Sequence, residues 1–172
     1  MKSDANVVAV KRDTPLLQSA ETQIGASVAV ASALTVLLAD VFALYIKNKN
    51  FHWHMSGPHF RDFHLMLDEH ADQLFSMTDE IAERVRKTGG TTIRSIGQIS
   101  RLQTVVDNES DHVAPADMLA ELHEDEKALT LRMLSTHELC DLAGDVATAS
   151  LLENWIDQAQ RRSWFLFEST RA

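Results

Sequence analysis

The most informative part of this sequence runs from His52 to Arg84 and reads HWHMSGPHFRDFHLMLDEHADQLFSMTDEIAER. Gly57-Pro58 interrupts it, and proline is favoured at the first position of a helix. The sequence therefore predicts one helix from Pro58 to Lys87, ended by Gly89-Gly90. Four side chains of metal-ligating types follow one another along this helix: His64, Asp68, Asp79 and Glu83. At about 100° per residue they fall at roughly 0°, 40°, 60° and 100° around the axis, so all four share one face.

The spacing along the helix determines how this face can bind a metal. His64 and Asp68 are four residues apart and adjacent on the helix surface, as are Asp79 and Glu83. Asp68 and Asp79, however, are 11 positions apart, which is about 16 Å of helix axis. Metal–ligand bonds are only about 2.0–2.2 Å long, so one copy of the helix cannot close both pairs around one centre. Two copies packed antiparallel about a two-fold axis can, and the sequence predicts two equivalent sites shared between subunits.

His52 offers one more imidazole, just before the Gly57-Pro58 break, and could complete either half-site. Histidine and carboxylate ligands without a thiolate favour iron or manganese, with zinc as an alternative. His70, by contrast, falls at roughly −120° from His64. That position borders the apolar stripe of the helix, so a packed histidine is expected there and not a ligand.

These residues resemble the signature of the Dps proteins, the mini-ferritins that protect DNA in starved cells. The resemblance runs over Asn48-x3-His52-Trp53-x3-Gly57-x2-Phe60-x3-His64-x2-Leu67-Asp68 and continues with Asp79-x2-Ala82-Glu83-Arg84. It implies that five side chains bind the metal: His52, His64, Asp68, Asp79 and Glu83. By the same resemblance, His52, Asp79 and Glu83 come from one subunit, and His64 and Asp68 come from its two-fold mate.

The resemblance also implies a function. It predicts a ferroxidase and iron-storage protein in which two Fe2+ ions at each inter-subunit site are oxidised by hydrogen peroxide, or more slowly by dioxygen. Zinc or manganese could take the place of iron. A dodecamer built from two-fold dimers would form a hollow shell that stores ferric oxide and protects DNA from oxidative damage. Two alternatives remain: a nucleoid-binding protein that compacts DNA, with secondary iron chemistry, and a structural shell without oxidase activity.

Charge argues against DNA compaction as the main function. The chain has a net charge of −9 at pH 7, whereas nucleic-acid-binding surfaces are basic. Residues 1–22 are predicted to be a flexible tail, and their three basic residues are balanced by three acidic ones. DNA binding through this tail is therefore expected to be weak.

The remaining composition favours a single helical domain over residues 23–172. Only 6 glycines and 3 prolines occur in 172 residues, which favours helices over turns. Cys140 is the lone cysteine, which fits a reducing compartment. The uncharged run Thr22–Ala39 contains several Ser and Thr residues, so a buried helix is expected there and not a membrane span. The expected location is the cytoplasm, with association with the nucleoid left open.

Apolar residues recur every three or four positions along the rest of the chain and predict further helices. A first long helix is expected from Gln23 to His54, a third from Pro115 to Leu142, and a fourth after Asp145, which is a good N-cap. A brief helix is expected between Ile93 and Leu102. The helix from Pro58 is expected to bury Phe60, Phe63, Leu67, Leu74, Ile81 and Val85. Four long helices with one longer crossover predict an all-α ferritin-like four-helix bundle, with a short extra helix between helices two and three.

Overall fold

The computed structural model describes the backbone of residues 14–171 and the side chains of residues 25–171. Its helices, in chain order, are α1 (Thr14–His54), α2 (Phe60–Lys87), α3 (Ile96–Leu102), α4 (Pro115–Ala143) and α5 (Val146–Thr170). Residues 14–171 contain no strand. In the bundle, α1 packs against α2 and α4, and α5 packs against α4. The predicted all-α bundle with a short helix in the crossover is confirmed.

Helix α2 forms because its apolar residues return to one side of the helix. Leu67, Leu74, Ile81 and Val85 are fully buried in the bundle core. The helix begins at Phe60, two residues later than predicted, because Gly57 adopts a φ of +92° and starts a turn. The N–H of Phe60 donates to the Gly57 carbonyl at 3.1 Å, which leaves Pro58 in that turn.

Helix α1 begins earlier than the sequence analysis predicts. Its backbone is helical from Thr14, so residues 14–22, assigned to the tail, belong to the helix. Thr14-Pro15 is compatible with a first helical turn because proline lacks only an N–H that has no partner there. No further proline occurs before Pro58. The rest of the predicted tail, residues 1–13, lies outside the described residues.

The apolar side of α1 supplies much of the bundle core. Within Gly25–His54 lies an 18-residue stretch with a mean hydropathy of 2.1, which makes this helix long and apolar enough to cross a membrane by length and composition. Seven of its apolar side chains are at most 1% exposed in the bundle: Val30, Leu34, Leu37, Ala39, Val41, Leu44 and Phe51. Asp40 is buried in the same helix, where its carboxylate accepts a hydrogen bond from the Thr104 N–H at 2.5 Å. This burial is what a core helix of a bundle requires.

Polar contacts fix α2 against the start of α5. The Arg84 Nη2 lies 2.5 Å from the Asp145 Oδ1, and the Arg84 Nε donates to the Thr148 hydroxyl at 2.6 Å. Asp145 also caps α5, since its carboxylate accepts from the Thr148 N–H at 3.1 Å, as predicted. The Trp155 Nε1 donates to Glu80 at 3.1 Å. These contacts hold the second half of α2 in place, and with it the face that carries Asp79 and Glu83.

Candidate metal centre

The predicted ligands on α2 lie beside its buried stripe, on the outside of the bundle. His64 and Asp68 are partly buried, whereas Asp79 and Glu83 are exposed. Both pairs therefore lie on a surface that a second subunit could contact. Within one chain, His52 lies near His64 and Asp68, whereas Asp79 and Glu83 are separate from this group.

The rings of His52 and His64 each form a hydrogen bond to the backbone carbonyl of the other residue. The Nδ1 of His52 lies 2.7 Å from the His64 carbonyl oxygen, and the Nδ1 of His64 lies 2.9 Å from the His52 carbonyl oxygen. The two rings stack with centroids 3.7 Å apart. A carbonyl can only accept, so each imidazole donates from Nδ1, and the neutral ring keeps its lone pair on Nε2. Fixing the tautomer through the other ring nitrogen is how proteins prepare histidines as metal ligands.

Asp68 completes this group and carries a counter-ion of its own. Its Oδ1 lies 3.9 Å from the His52 Nε2 and forms an ion pair with the Lys49 ammonium. The hydrogen bond from Lys49 lowers the pKa of Asp68, and the same hydrogen bond raises the pKa of Lys49. The carboxylate is thus ionised and already paired with a cation in the isolated chain.

The position of His52 corrects the expected division of ligands between subunits. His52 contacts His64 and lies near Asp68 of its own chain, so grouping it with Asp79 and Glu83 is wrong. The reason is the short connection between α1 and α2: the last turn of α1 must meet the first turns of α2. Asp79 lies 15 positions beyond His64, about 22 Å along the axis.

Asp79 and Glu83 form a separate acidic pair. Glu83 lies 2.8 Å from the Lys87 Nζ one turn further on, and this hydrogen bond lowers the pKa of Glu83. Among side chains 25–171, no three His, Cys, Asp or Glu residues converge into a metal site. One chain therefore presents two incomplete sets of ligands: the histidine set (His52, His64 and Asp68) and the acidic set (Asp79 and Glu83).

Comparison with known proteins identifies the family. The model of the ferritin-like domain matches residues 31–169. A DNA protection during starvation protein from Halobacterium salinarum is 34% identical over 145 residues, which cover 80% of this chain and 78% of that protein. The chain belongs to the Dps branch of the ferritin-like family.

Two other relatives of this Dps protein agree with that assignment. A low temperature-induced protein from Nostoc sp. is 34% identical over 141 residues, covering 80% of this chain and 77% of the relative. The solved structure of Dps from Thermosynechococcus elongatus superposes with a TM-score of 0.84 at 27% identity, covering 87% of this chain and 95% of that one. The resemblance drawn from the His52–Arg84 segment is confirmed at the level of the family.

The structure also shows contacts of this Dps chain that sequence reasoning missed. Lys49 precedes His52 by three residues, and side chains at that spacing are neighbours on a helix, so the signal was available. Phe60, expected in the core, is 45% exposed, and its ring centroid lies 5.0 Å from that of His64. Trp53 is 62% exposed next to His52. Two exposed aromatic side chains, Trp53 and Phe60, thus lie next to residues of the histidine set.

His70 is confirmed as a packed histidine. It is only 4% exposed, and burial, with the charges of Arg162 and Arg161, lowers its pKa to about 3. Its ring meets that of Phe165 edge-on, with centroids 6.4 Å apart. It takes no part in either ligand set.

Proposed function

We propose that this Dps protein is a ferroxidase and iron-storage protein whose di-iron sites form between two-fold-related subunits. One observation carries the proposal: the chain presents two incomplete ligand sets along the outer side of α2, and both imidazoles of the histidine set donate from Nδ1 to a backbone carbonyl, which leaves each Nε2 lone pair available. Neither set is a site alone. Each supplies what the other lacks.

Antiparallel pairing of two α2 helices would join the sets. His64 and Glu83 have the same spacing to their partners Asp68 and Asp79, so placing His64 opposite Glu83 places Asp68 opposite Asp79. The two-fold axis then passes between positions 73 and 74, midway between the sets. Each dimer would contain two sites, each with His52, His64 and Asp68 of one subunit and Asp79 and Glu83 of the other.

The ligand chemistry fits iron as the substrate. Imidazole and carboxylate groups suit iron, and the three carboxylates add negative charge that favours Fe3+ over Fe2+. Zinc and manganese remain competitors for the same donors. In the reaction, two Fe2+ ions give one electron each to hydrogen peroxide, which takes up two protons and yields two water molecules. Because both electrons reach one peroxide molecule, hydroxyl radical is not released.

The wider assembly forms part of the proposal. Dps relatives support a homo-oligomer, and we propose a dodecameric shell in which ferric oxide accumulates. The name of the Halobacterium salinarum relative, DNA protection during starvation protein, supports a protective role. Removing Fe2+ and peroxide together would protect DNA without contact. DNA compaction is the weaker alternative, because the net charge is −9.

Anaerobic titration with Fe2+, followed by peroxide, tests the proposal. The assembled protein should bind two Fe2+ per subunit, and each peroxide molecule consumed should oxidise two Fe2+ without a spin-trapped hydroxyl radical. Asp79→Asn/Glu83→Gln should abolish this binding, whereas the control Glu69→Gln, an exposed acid off the ligand face, should not change it. Equal oxidation rates for the double variant and the wild type would contradict the proposal.

A further inference from the structure

Asp72 lies on the ligand-bearing face of α2 without belonging to either ligand set. It follows Asp68 by four residues, one helical turn, and points into the exposed side of the helix. Relative to His64 it falls at roughly 80°, between the directions of Asp68 and Glu83. Asp72 is therefore the acidic residue that follows Asp68 on this face, between Asp68 and the acidic set.

Lys49 is the cation nearest to this part of the histidine set, because it pairs with Asp68. Its ammonium pairs with Asp68, and its side chain is only 18% exposed, so it lies against α2. The hydrogen bond to Asp68 is the main cause of the raised pKa of Lys49, and the charge of Asp72 contributes to the same rise. Lys49 thus bonds to Asp68 and experiences the charge of Asp72, which lies one turn further along α2.

Metal binding at Asp68 creates a problem for this ion pair. The carboxylate that holds the ammonium is the group that would hold the metal ion. An ammonium left beside a doubly charged cation would oppose metal binding, because like charges at short range repel. The Lys49 side chain has a flexible four-carbon stem, so its ammonium can move several ångströms without backbone change.

We infer that Asp72 is the second counter-ion of Lys49: when a metal ion binds at Asp68, the ammonium moves one helical turn to Asp72. Asp72 is then a positioning residue that lowers the cost of freeing Asp68, and it does not touch the metal. This inference rests on the proposed function. It differs from a simple attraction of cations by acidic side chains, because it requires Lys49.

A double-mutant cycle separates these two roles. The variants are Asp72→Asn, Lys49→Gln and their combination, with Glu69→Gln as a control for the loss of one exposed acid and Asp68→Asn as a check that the histidine set binds metal. Each assembled protein is titrated anaerobically with Fe2+, and separately with Zn2+, by calorimetry. Size-exclusion chromatography and thermal unfolding of the metal-free proteins check that each variant assembles and folds.

The inference predicts a specific pattern of dissociation constants. Asp72→Asn should weaken metal binding about two- to fivefold, the range that an exposed ion pair supplies. Lys49→Gln should strengthen binding, since Asp68 is free from the start. In the Lys49→Gln background, Asp72→Asn should have no further effect. Glu69→Gln should leave the constants unchanged.

Three outcomes overturn the inference. An equal loss from Asp72→Asn in both backgrounds means that Asp72 acts on the metal directly or through general attraction. No loss from Asp72→Asn in the wild-type background means that Lys49 does not use it. If the wild type and Asp68→Asn bind metal equally, the histidine set is not a site, and the proposed function fails together with the inference.

Discussion

Buried His70 should make the folded protein sensitive to mild acid. Burial and the nearby Arg162 and Arg161 charges lower its pKa from 6.5 to about 3. Between these values the unfolded chain binds a proton that the folded chain does not, so stability falls as pH falls. The contribution is fully present above pH 6.5 and is lost progressively as pH falls toward 3. Each pKa unit corresponds to about 1.36 kcal/mol, which sets an upper bound of about 5 kcal/mol for the whole interval.

The measurable part of this effect lies between pH 7 and pH 5. At pH 5 proton uptake favours the unfolded state by about 2 kcal/mol more than at pH 7. His70→Leu removes the titrating group. The substitution breaks no hydrogen bond of the His70 Nδ1, because this buried atom has no hydrogen-bond partner in the structure. The variant should therefore lose about 2 kcal/mol less stability than the wild type over this interval.

The assay is denaturant unfolding at both pH values, at one fixed protein concentration because assembly adds to apparent stability. His112→Leu, a change at an exposed histidine, controls for the loss of an imidazole. If wild type and His70→Leu lose the same stability between pH 7 and pH 5, His70 does not govern this sensitivity.

Arg162→Ala should destabilise the fold by about 3–5 kcal/mol in denaturant unfolding, because it leaves the buried Glu126 carboxylate without a partner. In the wild type this carboxylate lies 2.7 Å from the Arg162 Nε. The control Arg161→Ala, at the exposed neighbouring position, should cost about 0.5 kcal/mol or less in the same assay. Asp79→Asn/Glu83→Gln should leave the metal-free assembly as stable as the wild type or slightly more so. Anaerobic Fe2+ should raise the unfolding temperature of the wild type and not that of the variant. Loss of assembly in the variant would assign these residues a structural role. Gel shifts of metal-free protein with duplex DNA at about 0.15 M salt, where the Debye length is about 8 Å, should show weak or no retention, and tight retention would favour DNA compaction instead.

The parts of the fold that follow from local pattern were predictable. The apolar residues of α2 recur on one side, and Leu67, Leu74, Ile81 and Val85 are buried as expected. Gly144 with a φ of +65° ends α4, and Asp145 caps α5. Such signals act within a few residues of one another, so the sequence alone contains them.

Contacts between distant parts of the chain were not predictable from the same patterns. Arg161-Arg162 suggests a surface pair, yet Arg162 is 0% exposed and forms a bidentate pair with Glu126 of α4. Trp164, one of the apolar residues of α5, is 59% exposed. Helical periodicity locates the apolar face of a helix but does not identify which element covers it. It also could not predict that Arg162 is buried, because its partner Glu126 lies 36 positions away in the sequence.

The ligand sets show the same limit. Spacing along α2 was enough to separate two pairs of ligands and to predict that they belong to different subunits. It could not assign His52, because that depends on how α1 folds back on α2 across the Met55–His59 connection. Only the stacking of His52 on His64 decides which set it joins.

Complementation between inactive variants tests the shared site most directly. Asp79→Asn/Glu83→Gln protein is reassembled, at equal amounts, with His52→Ala protein, and peroxide-dependent Fe2+ oxidation is measured. Mixed dimers then carry one intact site and one broken site, so about a quarter of wild-type activity should return. His52→Ala reassembled with His64→Ala/Asp68→Ala should stay inactive, because both changes fall in the same ligand set. Activity restored in the second mixture and absent from the first would contradict the account.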